Sequence, residues 1–474
     1  MKKKISLLLI IFIIISTLAL LSSCTNKDDE PQEPQEHQEP TIPTINGVPL
    51  DQFTIVYDEQ GLDYNKRAAE YIKSKTLEKF NVELAIIDDN NEAKAHEIVV
   101  GETSRDISTL LNAETKGFEF SILANDGSVA LEGDYFVIAA AAYYFVETYA
   151  SNYNLNSSIS ETASIHQPIT KEAKNFILLI GDGMGVYQTL LFDYMESDVD
   201  FSDGENIFYG YMFPYSGTSR TQSLSGITDS AAGGTALACG VKTYNKYLGL
   251  DGNKSPVKSL TELAYELNKS AAVMSTEVET GATPSSFTVH IEDRDSNSAI
   301  LQAQIEAEAK YGTIIDCGYD YYTASRIPVI ENHIVSTLEQ VSSNENGFFL
   351  MYEEAYIDKQ CHGNNLEKTM QTVVRFNQAI ARFMEFAFYN PDTFVLITAD
   401  HETGDLYPEA DGTLAYHLDD HSAADVPIFA YGQGAELFNG VNIENIQIAH
   451  TIAALMGEEN FGDQSQYQSL TKVK

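Results

Sequence analysis

Basic residues are scarce in this chain. Only 29 Lys and Arg stand against 69 Asp and Glu, a formal net charge of −40 over 474 residues. So acidic a surface repels nucleic-acid backbones and anionic lipid, which argues against both as partners. It also repels anionic substrates at long range, so a site for such a substrate must gather positive charge locally, as bound divalent metals do. Cysteine is sparse too: Cys24, Cys239, Cys317 and Cys361 are too few for a disulfide scaffold. If Cys24 is modified, an odd number remains, and one disulfide or three free thiols stay open. After the first apolar run, Ile5 to Leu21, no second one is long enough to span a membrane, and there is no internal repeat. A dinucleotide loop is lacking as well: in Gly181-Asp182-Gly183-Met184-Gly185 the following Val186 breaks the G-x-G-x-x-G pattern.

What is present starts with a targeting pattern. Met1-Lys2-Lys3-Lys4 precedes the apolar run, and Leu21-Ser22-Ser23-Cys24 ends it. This resembles a bacterial lipobox, in which the cysteine becomes the lipidated first residue. The alternatives are a membrane anchor or a plain signal peptide. On the lipobox reading residues 1–23 are a signal peptide and the protein is a membrane-anchored, extracytoplasmic bacterial lipoprotein. Residues 24–44, with Pro31-Gln32-Glu33-Pro34-Gln35-Glu36, read as a solvated tether, and His37 within it as a solvated side chain.

Residues 45–165 read as a small α/β unit. Strands are expected at Phe53–Tyr57, Leu84–Ile87 and Glu97–Val100, helices at Tyr64–Phe80 and Tyr135–Tyr149, and a hairpin turn at Asn125-Asp126-Gly127. No charged cluster in this unit has catalytic or metal spacing. From 170 to 474 continuous apolar runs alternate with helical patterns: Phe176–Ile180, Ala271–Met274, Phe348–Tyr352, Phe394–Ile397 and Val426–Ala430. Strands buried on both faces read this way, so the expected fold is α/β, a mainly parallel sheet with helices on both faces.

Polar residues of one chemical kind follow those runs: Asp182 after Ile180, Glu353 after Tyr352, Asp400 and His401 after Ile397. Ligands of open α/β sheets bind outside the carboxyl ends of the strands. Like charges gathered there repel unless a cation lies between them. Imidazole with carboxylate suits zinc, and oxygen alone suits magnesium. Asp358 and His362, four apart, share a face if the segment is helical. Ser230 precedes a run of small residues ending at Gly240 and reads either as an ordinary helix cap or as a group placed at a helix N-terminus that favours phosphate.

Asn175–Gly185, Thr228-Asp229-Ser230-Ala231, Glu353–His362 and Thr398-Ala399-Asp400-His401, in this order, together resemble the alkaline phosphatase family. Gly281-Ala282-Thr283-Pro284 followed by Arg294 resembles its magnesium-threonine and phosphate-arginine segment. The resemblance implies an alkaline-phosphatase-like fold and a phosphomonoesterase with two zinc ions and one magnesium ion. It implies Asp358, His362 and His421 on the first zinc, with His417 as the nearby alternative to His421. Asp182, Asp400 and His401 would hold the second zinc, and Asp182, Thr283 and Glu353 the magnesium. Ser230 would be the nucleophile, forming a phosphoserine, and Arg294 the phosphate anchor. His96, His166, His290, His333 and His450 lack partners at useful spacing, and Cys361 reads as a structural thiol.

The family usually carries Asp or His where this chain has Gly281, so the magnesium site is expected to be weak unless Glu277 or Glu279 reaches it. Only Glu402–Asp420 separate His401 from His421, where the family often inserts a larger subdomain. That implies an open cleft for small phosphomonoesters and leaves homodimerisation open. Two rivals remain: a phosphodiesterase of the same superfamily and an inactive surface-binding lipoprotein. All the implied ligands follow Lys174, so a chain starting near His166 is expected to keep the activity if it folds.

Overall fold

The structure, a computed structural model, describes residues 42–60, 63–111, 118–150, 154–155, 160–164, 172–194, 207–318 and 327–471. The apolar leader, Cys24, His37 and His166 lie outside them. Among the described residues no helix is long and apolar enough to cross a membrane.

The first α/β region is a six-stranded sheet of β1 (Thr54–Tyr57), β2 (Ala85–Asp88), β3 (Glu97–Val100), β4 (Glu119–Asn125), β5 (Ser128–Gly133) and β6 (Ser160–Ser164), ordered β2-β1-β3-β5-β4-β6. The β4–β5 hairpin closes through Asp126 and Gly127, at φ 45° and 80°. Asp and Gly tolerate this left-handed pair, and its twist matches the strands. Helices α1 (Asp63–Phe80) and α2 (Ile138–Tyr144) accompany the sheet; α2 runs on into a wider turn, Phe145–Tyr149.

The second sheet has eight strands: β7 (Asn175–Gly181), β8 (Tyr215–Arg220), β9 (Ser270–Ser275), β10 (Ile314–Cys317), β11 (Phe348–Glu354), β12 (Thr393–Thr398), β13 (Val426–Tyr431) and β14 (Asn442–Glu444), ordered β10-β9-β11-β7-β12-β13-β8-β14. The strands β10 to β12 in that order are mutually parallel. β7, β11, β12 and β13 are buried at every position, as continuous apolar runs require. β13, however, runs antiparallel to β12. The chain leaves β12 at its carboxyl edge, builds residues 399–425 there, and re-enters the sheet from that same edge. No helical crossover intervenes, and only a crossover restores a parallel direction.

The two sheets share one core across α6 (Leu366–Tyr389). Phe118 packs edge-on to Phe388 and Tyr431 at 5.5 and 5.8 Å between ring centroids, and Tyr71 stacks on Tyr389 at 4.1 Å. Arg67 Nε meets Glu385 Oε1 at 2.7 Å, and buried Arg382 joins Glu385 and Glu331. The described residues thus form one compact unit rather than two loosely tethered ones.

Candidate metal centre

Every ligand residue implied by the sequence lies at or beyond the carboxyl edge of the eight-stranded sheet or in the helices and loops there. Asp182 follows β7, Glu353 ends β11, and Asp400 and His401 follow β12. Parallel register brings Ile180 opposite both Glu353 and Thr398, so these strand ends converge. The turn after β7 needs Gly183: its φ is +72°, and a Cβ there would come within 2.9 Å of the Asp358 Cα.

Asp358 and His362 belong to α5 (Tyr356–His362), one turn apart. His421 arrives on a short hairpin in which His421–Ser422 pairs with Glu402–Thr403. Asp358 Oδ1 lies 3.4 Å from His362 Nε2 and 3.6 Å from His421 Nε2, and the two Nε2 atoms are 3.3 Å apart. Tetrahedral ligands at roughly 2.0–2.1 Å from zinc stand about 3.3–3.4 Å from one another. The far ring nitrogens face carbonyls: His362 Nδ1 is 2.7 Å from the Asp419 oxygen, His421 Nδ1 2.8 Å from that of Thr228. Each Nδ1 therefore carries the proton and each Nε2 presents a lone pair to the centre. Two facing lone pairs repel unless a cation or a proton sits between them. His417 turns away, stacking on Tyr407 and meeting Glu409 Oε1 at 3.1 Å.

A second centre surrounds His401 Nε2, with Ser230 Oγ at 3.2 Å, Asp400 Oδ2 at 3.3 Å and Asp182 Oδ1 at 3.4 Å. The two carboxylate oxygens make no hydrogen bond although both are buried. Burial, followed by the charges of Asp400, Asp358 and Glu353, pushes the Asp182 carboxyl well above the usual carboxylate range. Burial, then Asp358 and Glu353, do the same to Asp400. Burial, then His421 and Arg294, hold His401 well below the ordinary imidazole value. Buried acids crowded around a neutral imidazole form a donor set that a central cation would stabilise. The donor sets Asp358, His401, His421 and Asp182, Asp400, His401 fit such ions.

Glu353 and Thr283 are the residues that the family resemblance joins to Asp182 as a third set. Both are fully buried, and Glu353 Oε1 and the Thr283 hydroxyl lack a well-formed hydrogen bond. Burial and then the Glu277 charge push Glu353 up to about 7. Oxygen-only donors suit a hard cation.

Ser230 opens α3 (Ser230–Cys239) with Asp229 as its cap: Asp229 Oδ1 accepts from the Ala232 amide at 2.9 Å. Arg294 Nη1 lies 3.4 Å from the other oxygen, Asp229 Oδ2. Burial opposes the Arg294 charge, but Asp229 and Asp182 outweigh it and raise its pKa.

Several positioning residues carried no sequence signal. Thr403 Oγ1 donates to Asp358 Oδ1 at 2.6 Å and sits 3.2 Å from His401 Nδ1, joining the two centres. Glu402, buried, accepts from the amides of Asp405 and Leu406 and pins the hairpin. Asp420 groups with His362 and His421. Asp229 was legible in principle, as an acid directly before a helix start. Cys361 points to Tyr416 and Thr369, and burial pushes its thiol up to about 12. Cys239, Cys317 and Cys361 are all free. His96, His290 and His450 hydrogen-bond to carbonyls of Gly127, Gly249 and Gly240, and His333 to Asp316.

The model of one family, "Alkaline phosphatase", matches residues 173–330 and 316–418. Alkaline phosphatase 4 of Bacillus subtilis is 29% identical over 313 residues, 55% of this chain and 68% of that protein. The solved alkaline phosphatase of the Antarctic bacterium TAB5 superposes with a TM-score of 0.53 at 26% identity, over 60% of this chain and 99% of that one. A TAB5 mutant with histidine replaced by glutamate and magnesium bound in its M3 site superposes at 0.52, at 26% identity, over 61% of this chain and 99% of that one.

Proposed function

This chain belongs to the alkaline phosphatase family of phosphoester-hydrolysing enzymes, and we propose that it cleaves phosphate monoesters through a phosphoserine formed on Ser230. Asp358, His362 and His421 would hold one zinc, and Asp182, Asp400 and His401 a second. Asp182, Thr283 and Glu353 would hold a magnesium; that a similar TAB5 mutant binds magnesium supports a place for that ion in this fold. Bound metal supplies Lewis acidity, which lowers the pKa of the serine hydroxyl and offsets charge on the phosphoryl group.

The chain's own residues position the rest. The α3 N-terminus favours negative charge beside Ser230. Arg294 offers a planar fork to two phosphoryl oxygens, held near them by Asp229. Ser230 Oγ bonds to phosphorus as the bond to the alcohol oxygen breaks, and water then cleaves the Oγ–P bond to release phosphate. Positioning and charge stabilisation supply most of the catalysis.

The observation that carries this reading is the 3.2 Å approach of Ser230 Oγ to His401 Nε2, the atom that also faces Asp182 and Asp400. Acid quenching with a radiolabelled monoester is expected to label Ser230. Ser230→Ala is expected to keep its zinc and lose activity by roughly 100-fold or more. Label on another residue, or faster turnover of a diester than of a monoester, would sink the proposal. The Leu21–Cys24 pattern supports a lipid anchor on Cys24 and an extracytoplasmic place, which mass spectrometry of the mature N-terminus tests.

A further inference from the structure

A glycine at 281 leaves a gap, and the chain fills it from elsewhere. Gly281 caps α4 (Ala282–Ser286), the short helix that carries Thr283. A Cβ built on Gly281 would lie 2.5 Å from Glu277 Oε2 and 2.9 Å from Glu277 Cδ. The space a side chain at 281 would enter is thus already taken by a carboxylate from four residues upstream.

One ion pair holds that carboxylate there, and two hydrogen bonds tie its backbone to the buried acid. Lys359 Nζ, next to Asp358 in α5, pairs with Glu277 Oε1 at 2.7 Å. The Glu277 amide donates to Ser275 Oγ at 2.9 Å, and Ser275 Oγ in turn donates to Glu353 Oε2. Register sets this up: Ser275 ends β9 directly opposite Glu353 on β11, so Glu277 emerges at the same sheet edge as the buried acid. Among charged neighbours, Glu277 is the one that acts most strongly on Glu353, and it also acts on Asp182 and Arg294. Meanwhile Glu353 Oε1 and Thr283 Oγ1, both fully buried, have no well-formed hydrogen bond.

We propose that Glu277 is the positioning acid of the hard-cation site formed by Asp182, Thr283 and Glu353, acting from outside the direct ligand set on the waters that a magnesium ion retains. Magnesium gives up its hydration shell reluctantly, so a site with three protein oxygens leaves waters that need fixed acceptors. Losing such a partner weakens metal affinity by about 10–100-fold. Lys359 keeps Glu277 aimed, and Gly281 is the residue that leaves room for it. The inference rests on the magnesium assignment above.

The test measures metal rather than turnover. Protein loaded with zinc is titrated with magnesium, and bound metal is determined by equilibrium dialysis and elemental analysis. Glu277→Gln is expected to raise the magnesium Kd about 10–100-fold at unchanged zinc content. Gly281→Asp alone puts a second carboxylate onto the first and is expected to give no tighter binding. The double variant Glu277→Ala/Gly281→Asp delivers an acid to the same space from the other position and is expected to bind magnesium at least about 10-fold more tightly than Glu277→Ala alone. A purely structural role for Glu277 would not be rescued this way, and the pair of alanine variants decides the question even if Glu277→Gln does not fold. Magnesium binding by Glu277→Gln equal to that of the unaltered protein overturns this inference alone. No magnesium uptake by the unaltered zinc-loaded protein overturns the magnesium assignment and this inference with it.

Discussion

Arg294 Nη1 lies 3.4 Å from Asp229 Oδ2, and the other oxygen of that carboxylate caps the helix that begins with Ser230. One acid therefore sets both the helix of the proposed nucleophile and the proposed phosphate anchor. It also accepts the Lys246 amide at 2.9 Å. Asp229→Ala is expected to cost about 1 kcal/mol of stability from the lost cap. Freed from its partner, Arg294 loses its fixed aim, so the KM for a monoester and the inhibition constant for phosphate should rise together. Steady-state kinetics with phosphate as inhibitor checks this; unchanged values of both would show that Arg294 is aimed by something else.

Thr403 touches one proposed ligand of each zinc centre, through Asp358 Oδ1 and His401 Nδ1. Thr403→Val keeps the volume and removes the hydroxyl. Zinc affinity is expected to fall by about 10–100-fold, read by competition with a chelator of known affinity. Identical competition curves for the two proteins would mean that the hydroxyl orients neither ligand.

Stripping the metal should make stability fall as pH rises. Glu353 sits at about 7 in the metal-free fold against an ordinary 4.5, through burial and then Glu277. A raised folded pKa means that the folded state holds the proton more tightly. The resulting stabilisation is complete below about 4.5 and lost as pH climbs to about 7. Asp182 and Asp400, raised in the same direction, continue the trend. Melting temperatures of metal-free protein should drop across pH 4.5–7, with a much flatter profile after zinc and magnesium are restored. A flat metal-free profile would contradict the crowding of these acids.

Phe118 is buried between the two sheets' cores, edge-on to Phe388 and Tyr431. Phe118→Ala is expected to cost about 3–5 kcal/mol. Calorimetry should show one shifted transition, because the residue belongs to a core that both sheets share. A chain starting near residue 172 keeps every proposed ligand but bares Phe388, Tyr389 and Tyr431. It is expected to be soluble only when those positions are made polar, and solubility of the unaltered truncation would disprove that.

The sequence reveals the site where chemistry abuts pattern. Asp182, Asp400 and His401 stand just past apolar runs and Glu353 at the end of one, and Asp358 and His362 have the spacing of one helical turn. The family motifs supply His421, Thr283 and Arg294. What stays hidden depends on tertiary approach. The carbonyls of Asp419 and Thr228 that fix two imidazoles belong to backbone, which any residue supplies. Glu277 and Glu279 look alike as letters, and only the fold aims the first at Gly281. β8 (Tyr215–Arg220) has only small residues, Ser, Gly, Thr and Ser, between its Tyr and its Arg, so no apolar run announces it. β13 has the same kind of apolar run as β12, and composition carries no direction.

The shared core has a consequence for the order in which the molecule is made. The six-stranded sheet leaves the ribosome before α6, the helix that covers its aromatic face, which follows about two hundred residues later, at elongation rates of 5–20 residues per second. For that interval Phe118, Phe136 and Tyr71 have no partner from α6 or β13. That unfinished surface invites association while the chain grows, so yield should depend on holdase chaperones in a way that the stability of the finished enzyme does not report.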